Sequence, residues 1–329
     1  MDMTVWDWFE QRSFRHRDFS GLAEPGAAAR RPAVTLILPA REVAATIGPI
    51  LDTVARLNEC SGIVDQVLVV DADSADGTAD IARAHGAEVY SENELLPEYG
   101  PAQGKGDAMW RALSAARGDI VMFADADTRD FGEHFVYGTL GPLLMVPGVQ
   151  FSKAAYRRPF TRDGQLVADG GGRVTELMAK PLLNFFFPEL TGFVQPLAGE
   201  FAASRELLLR TPFLTGYGVE IAILIDVLGD AGLPAMAQVD LGSRQNRHQP
   251  LWDLTRMSSA VLRALARRVP AMEHAVPASR TPGLWDLPGP ETYLHAVATR
   301  DGLRLDEHLT ELLERPPMAR VLARTPASM

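Results

Sequence analysis

The chain has 329 residues, 47% hydrophobic and 22% charged, the balance of an ordinary soluble globular protein with one large or two modest domains. Its formal charge is −10, from 42 Asp+Glu against 32 Lys+Arg, which argues against wholesale nucleic-acid binding but leaves room for a local basic pocket around an anionic small molecule. The single cysteine, Cys60, excludes an intrachain disulfide and a Cys-rich metal site, and fits a reducing compartment.

Met1 to Arg17 is amphipathic, with Trp6, Trp8, Phe9 and Phe14 set among Arg and Asp, and lacks the apolar core of a signal peptide. No stretch approaches the ~18–20 apolar residues that span a bilayer, so a cytoplasmic location is expected. Residues 18–32 are rich in Gly, Ala, Pro and Arg and read as a linker. Val34 to Leu38 is a buried strand ended by Pro39, and Ile47, Ile50, Leu51, Val54 and Leu57 follow at helical spacing. A second strand, Gln66–Val70, runs into Asp71-Ala-Asp-Ser-Ala-Asp-Gly77; a short helix (78–85) and a third strand (87–90) come next. After a loop over 97–104 and a helix from Asp107 to Ala116, the strand at 118–124 ends in Asp125-Ala126-Asp127. Strands alternating with helical patterns imply βαβ units and a mainly parallel sheet.

Beyond Asp127 the alternation loosens. A strand is expected over 149–156, a Gly-rich polar loop over 161–172, a helix over 175–187 and an extended piece at 201–204. Gly216-Tyr217-Gly218 precedes an apolar helix over 219–228, a last strand covers 235–241, and Leu254, Met257, Val261 and Leu265 mark another helix. Residues 270–290 are Pro-rich, and one further helix is expected near 303–313.

Two carboxylates one residue apart, where a buried strand ends, lie at the carboxyl edge of a sheet, the edge at which open α/β sheets bind ligands. Such a pair can hold Mg²⁺ or Mn²⁺ against a diphosphate, or can be a surface turn. Pro39-Ala40 leaves backbone free to face a flat base. Glu42 either accepts from base or ribose or sits in a first helical turn. Asp71 suits a base-edge or ribose contact, while Ser74, Asp76 and Gly77 shape a turn and cap a helix. Lys105, between glycines at a helix start, offers a point charge to a phosphate or base edge, or is a solvated loop lysine. Arg173 after three glycines at a helix start suits an anion, though the glycines also make a hinge. Lys153, Arg157 and Arg158 form a second basic cluster or a solvated face. Glu220 in an apolar helix is expensive to bury unpaired, so it bonds either sugar hydroxyls, with Tyr217 beside it, or backbone groups.

Leu38-Pro-Ala-Arg-Glu42, Asp71 to Thr78, Gly104-Lys-Gly106 and Asp125-Ala-Asp127, in this order, resemble the nucleotide-sugar glycosyltransferases of the type A fold. Gly170-Gly-Gly-Arg-Val-Thr-Glu-Leu177, Gln195-Pro-Leu-Ala-Gly-Glu200 and Gly216-Tyr-Gly-Val-Glu-Ile221 resemble the glucosyl-3-phosphoglycerate synthases, relatives of the mannosyl-3-phosphoglycerate synthases. The resemblance runs from about Pro32 to about Ser259. It implies transfer of a hexose from UDP-glucose, GDP-glucose or GDP-mannose to the 2-hydroxyl of 3-phosphoglycerate, with retention and a divalent metal, in a homodimer. It implies a catalytic domain over 32–250, with a nucleotide-binding half (32–130) and an acceptor half (131–250). Residues 1–31 are then an extension, and 251–329 a helical extension available for a dimer contact. It places Pro39, Ala40, Glu42, Asp71, Ala72, Lys105, Asp125, Tyr217, Glu220 and Arg244 at the donor, and Gly172, Arg173 and Thr175 at the acceptor. Leu197 matches a position whose backbone carbonyl lies near the reacting hydroxyl. Asp127 is the implied metal ligand. The family's metal-binding histidine falls at Asn246 here, with His248 two residues on, so either His248 reaches the metal or it joins Asn246 at the acceptor. A polyprenyl-phosphate glycosyltransferase shares the first-half motifs, and a nucleotide-sugar sensor is the non-enzymatic alternative.

Overall fold

The computed structural model describes residues 3–26, 31–162, 165–167, 171–244, 251–269, 292–299, 302–309 and 312–324. The strands in chain order are β1 (Ser13–Arg15), β2 (Val34–Ala40), β3 (Gln66–Asp71), β4 (Glu88–Ser91), β5 (Ile120–Phe123), β6 (Phe151–Arg157), β7 (Phe160–Arg162), β8 (Gln165–Val167), β9 (Phe201–Ser204), β10 (Phe213–Leu214) and β11 (Met236–Ser243). The helices are α1 (Val5–Arg12), α2 (Ala44–Ser61), α3 (Thr78–Ala84), α4 (Lys105–Ala112), α5 (Glu133–Met145), α6 (Lys180–Phe186), α7 (Arg205–Arg210), α8 (Val219–Ala231) and α9 (Leu251–Ala266).

Eight strands form one sheet in the order β1-β11-β6-β9-β5-β2-β3-β4. All neighbours are parallel except β9, which runs antiparallel to both β5 and β6. The strands are Val-, Ile- and Leu-rich because both faces are covered. On one face α4, α8 and α9 pack Met109, Trp110, Ile223 and Leu265; on the other α2 and α5 pack Ile47, Val54, Phe135 and Leu140. The parallel strands β2, β3 and β5 bring their carboxyl ends to one edge. Because β9 is reversed, its first residue lies at that same edge, with Phe201 paired to Phe123 of β5 and to Lys153 of β6. That reversal delivers the 195–200 turn to the site.

The mainly parallel sheet with helices on both faces, expected from the sequence, is present. Three local expectations are corrected. The linker over 18–32 is in part structured: His16–Ala23 is a 3-10 helix whose Phe19 and Leu22, three apart on one side, are buried. The N-terminus joins the catalytic sheet, since β1 pairs with β11, and Trp8 is fully buried with its indole N–H donating to Met236 O at 2.8 Å. The helix near 303–313 is instead a strand, 302–309, paired antiparallel with 292–299. Leu303 and Leu305 alternate with polar residues there, the period-2 pattern of a strand, and the register pairs Thr299 with Gly302. Glu314 and Arg315 then pair with β10, and Arg315 donates twice to the buried Asp107 of α4, at 2.8 and 2.7 Å.

Candidate active site

The donor end is built from the loops after β2 and β3. Asp71 closes β3 and is buried; its Oδ2 accepts from Ser74 N at 2.9 Å, while its Oδ1 is buried with no hydrogen-bond partner. A buried acceptor left open at a sheet edge suits an N–H from outside the chain. Ala72 N donates to Ala40 O at 2.9 Å, holding the Pro39-Ala40 and Asp71-Ala72 backbones side by side. Glu42 lies outside α2, not in its first turn: it has φ +52°, and its Oε1 accepts from Ala75 N at 2.9 Å. The loop after β3 caps the preceding helix as well as the following one. Asp76 accepts from Ala44 N at 2.9 Å and from Thr78 N at 3.0 Å, and Thr78 Oγ1 accepts from Val43 N at 3.0 Å. Asp73 also has φ +52°, so two non-glycine residues of this edge sit in the left-handed region, a cost of ~1–3 kcal/mol each.

The centre is a network of buried charges. Lys105 Nζ donates to Asp125 Oδ1 at 2.5 Å and to Glu220 Oε1 at 2.8 Å. The glycine beside Lys105 is obligatory for this meeting of α4 and α8. A Cβ on Gly106 would stand 2.0 Å from Leu214 O, so any side chain would push α4 away from the segment leading into α8. Burial pulls the Lys105 ammonium down, but Asp125 and Glu220 more than offset that and hold it above the ordinary lysine range. Burial likewise pushes Asp125 up, and Lys105 and Arg244 more than reverse it, keeping the carboxyl ionised far below its usual range.

Arg244, just past β11 and 2% exposed, joins the remaining carboxylates. Its Nη2 lies 2.8 Å from Asp125 Oδ2 and 3.2 Å from Asp127 Oδ1, and its Nε donates to Thr128 Oγ1 at 3.2 Å. Nη1 faces Glu200, 3.0 Å from Oε1 and 3.1 Å from Oε2, and donates to the Tyr156 hydroxyl at 2.9 Å. Tyr156 in turn donates to Glu200 Oε2 at 2.9 Å. Burial pushes the Glu200 carboxyl up, yet Arg244 and Tyr156 both donate to it, contacts that suit the ionised form. Asp127 is the open member, with a side chain 54% exposed.

Lys153 lies inside, not on a solvated basic face: it is 1% exposed, and its Nζ donates to Ala198 O at 2.8 Å. The 195–200 turn is thereby held from beneath, with Ala198 N donating to Gln195 O at 3.0 Å and Gln195 Nε2 to Tyr156 O at 3.2 Å. Leu197 is half-buried in this turn. Gly199 faces the charges, where a Cβ would stand 2.2 Å from Asp125 Oδ1 and 2.5 Å from Lys105 Nζ.

At the acceptor end, Gly172 has φ +71° and opens the helical run that begins at Arg173; Glu176 N donates to Gly172 O at 2.9 Å. Thr175 is buried. This segment joins the same edge through Gly171 N, which donates to Arg158 O at 3.0 Å, next to Arg157, whose carbonyl accepts from Arg244 N at 3.0 Å. Tyr217 stands at the rim, 52% exposed, in the 3-10 turn before α8. Asn246 and His248 lie outside the described residues. The residues that motif reading missed are Glu200, Tyr156 and Thr128. Glu200 carried the same signal as Glu220, a lone carboxylate opening an apolar run, Phe201-Ala-Ala.

Residues 35–135 match glycosyl transferase family 2. The glucosyl-3-phosphoglycerate synthase of Mycolicibacterium paratuberculosis is 44% identical over 264 residues, 79% of each chain. That of Mycobacterium tuberculosis H37Rv is 45% identical over 256 residues, 77% of this chain and 78% of its own. Among solved structures, mannosyl-3-phosphoglycerate synthase from Rubrobacter xylanophilus superposes with a TM-score of 0.85 at 56% identity, covering 97% of this chain and 98% of that one. The M. tuberculosis glucosyl-3-phosphoglycerate synthase in complex with Mn²⁺, uridine diphosphate and glucosyl-3-phosphoglycerate superposes with a TM-score of 0.75 at 40% identity, covering 90% and 93%. A type A sheet edge carrying this charge network, in a chain so similar to these enzymes over most of its length, makes the protein a hexosyltransferase that belongs to the glucosyl-3-phosphoglycerate synthase family.

Proposed function

We propose that the protein moves glucose from a nucleoside diphosphate glucose to the 2-hydroxyl of 3-phosphoglycerate, with retention at the anomeric carbon and Mg²⁺ or Mn²⁺ as cofactor. The observation that carries this is the joining of Lys105, Asp125, Asp127, Glu220 and Arg244 at one sheet edge, with the helix start at Arg173 on the same edge. The open Oδ1 of Asp71 is placed to accept a base N–H, with Pro39, Ala40 and Ala72 as the backbone floor and Glu42 towards the ribose. Arg173 and the N–H groups of its helix start bind the phosphate or carboxylate of the acceptor, with Thr175 beside them.

The donor set fits a hard divalent cation. Asp127 is half-exposed with one oxygen at the far edge of Arg244's reach, and Mg²⁺ takes one or two carboxylates together with substrate phosphates. When bound, the ion supplies Lewis-acid neutralisation of the leaving diphosphate. Glu220, fixed by Lys105, accepts from the sugar hydroxyls, and Tyr217 closes that side. The Leu197 carbonyl faces the reacting hydroxyl. That hydroxyl attacks from the side on which the diphosphate departs, and its proton passes to the leaving phosphate oxygen. No side-chain nucleophile is then required.

A mannosyl transfer from GDP-mannose is the second reading, favoured by the 56% identity to the R. xylanophilus mannosyl enzyme. A cytoplasmic homodimer, with α9 near the contact, completes the proposal; among the described residues no helix is long and apolar enough to cross a membrane. The test is a product assay offering UDP-glucose, GDP-glucose and GDP-mannose with 3-phosphoglycerate and Mg²⁺ or Mn²⁺, followed by NMR of the anomeric linkage. No product with 3-phosphoglycerate under any donor defeats the proposal.

A further inference from the structure

The mechanism gives no task to one fully buried carboxylate of the site network, Glu200. Glu200 is 0% exposed, so it meets no substrate, yet a charge so deep is costly unless it is paired. Among the described residues, its side-chain hydrogen bonds and ion pairs all lead to Arg244 or to the hydroxyl that Arg244 also holds. An arginine carries five N–H donors in a rigid plane. Here two of its nitrogens are occupied internally: Nη1 by Glu200 and Tyr156, Nε by Thr128. Only Nη2 is turned to the outside of the network, towards Asp125 and the half-exposed Asp127.

We propose that Glu200 is a positioning residue for the donor diphosphate: by holding Nη1 of Arg244 it aims Nη2 at the place beside Asp127 where the leaving phosphate binds. This rests on the proposed donor site. Nη2 already meets the mostly buried Asp125 at 2.8 Å and the half-exposed Asp127 at 3.2 Å, and without Glu200 nothing stops the guanidinium from turning a second amino group onto them. The cation then neutralises the carboxylates and is lost to the phosphate. Tyr156 serves the same lock, because its hydroxyl accepts from Nη1 and donates to Glu200.

The experiment measures binding, with Mg²⁺ present, of a nucleoside diphosphate and the matching monophosphate (UDP and UMP, then GDP and GMP) by calorimetry. The proteins are wild type, Glu200→Gln, Arg244→Lys and the double variant. Glu200→Gln keeps the volume and one acceptor while removing the charge. It is expected to weaken the diphosphate 10- to 100-fold, to change the monophosphate less than threefold, and to add no more than twofold to the loss in the Arg244→Lys background. A merely structural role would weaken both ligands alike or add fully to Arg244→Lys, and either result overturns the proposal, as does an unchanged diphosphate affinity. If Glu200→Gln does not fold, Tyr156→Phe is read in the same way: a diphosphate-specific loss of threefold or more supports the lock, and none overturns it. A wild type that binds neither diphosphate would instead overturn the donor site itself, so the two failures are distinguishable.

Discussion

Replacing Lys153 by methionine should make the protein more stable at neutral pH and less active. Burial pulls the Lys153 ammonium from its usual 10.5 down to about 8; Glu220 resists this, Lys105 adds to it, and Glu200 and Asp125 resist it again. A drop of that size corresponds to ~3 kcal/mol charged against the folded state. The sign follows from proton counting. Below pH 8 the lysine is protonated in both folded and unfolded chains, so the full cost is present. Between pH 8 and 10.5 the unfolded chain holds the proton and the folded one does not, so stability rises with pH and the cost fades. Methionine has similar reach and no charge, and removes this cost at all pH values. It gives up the hydrogen bond to Ala198 O and the ammonium 5.3 Å from the Phe201 ring centroid, together worth ~1–2 kcal/mol. Lys153→Met should thus gain ~1–2 kcal/mol at pH 7 and lose ~1–2 kcal/mol near pH 10.5. Urea unfolding of both proteins at pH 7, 8.5 and 10 measures the difference directly, since groups common to both cancel. A mutant–wild-type difference that does not change with pH would refute the reasoning. Activity should fall even where stability rises, because the 195–200 turn carrying Leu197 loses its anchor.

Three further substitutions probe the site. Gly199→Ala should force apart Asp125 and Lys105, which its Cβ would meet at 2.2 and 2.5 Å, at ~1–3 kcal/mol of overpacking and a tenfold or larger loss of kcat/KM; wild-type kinetics with an unchanged melting temperature would rule this out. Arg173→Ala should raise KM for 3-phosphoglycerate roughly 10- to 200-fold, the equivalent of one charge-assisted bond, with donor KM scarcely changed and Arg173→Lys restoring only part; equal damage to both KM values would place Arg173 elsewhere. Asp127→Ala, at a half-exposed position, should leave the melting temperature within a few degrees while lowering kcat at saturating Mg²⁺ more than about tenfold, and a smaller loss would remove Asp127 from the metal.

The parts legible in the sequence are those set by local pattern. The alternation of apolar strands with amphipathic helices from Val34 to Phe123 is enough to imply a parallel sheet, and with it the edge where Asp71 and Asp125 emerge. Gly-Lys-Gly marks a helix start whatever the surroundings. Local pattern is silent about partners far along the chain. That Lys105 bonds Glu220, 115 positions on, and that Arg244 bonds Asp127 across 117, depends on α8 packing against α4 and β11 lying beside β6. Short buried pieces are hidden in the sequence for the same reason. Phe19 and Leu22 occur in a Gly- and Ala-rich stretch, and it is packing against distant elements, chiefly α5, that makes them core. Glu200 and Lys153 are single charges in apolar runs, and a sequence states their cost without naming what offsets it. The antiparallel reversal of β9 decides that, because it carries Glu200 to Nη1 of Arg244 and sets the carbonyl of Ala198 over Lys153.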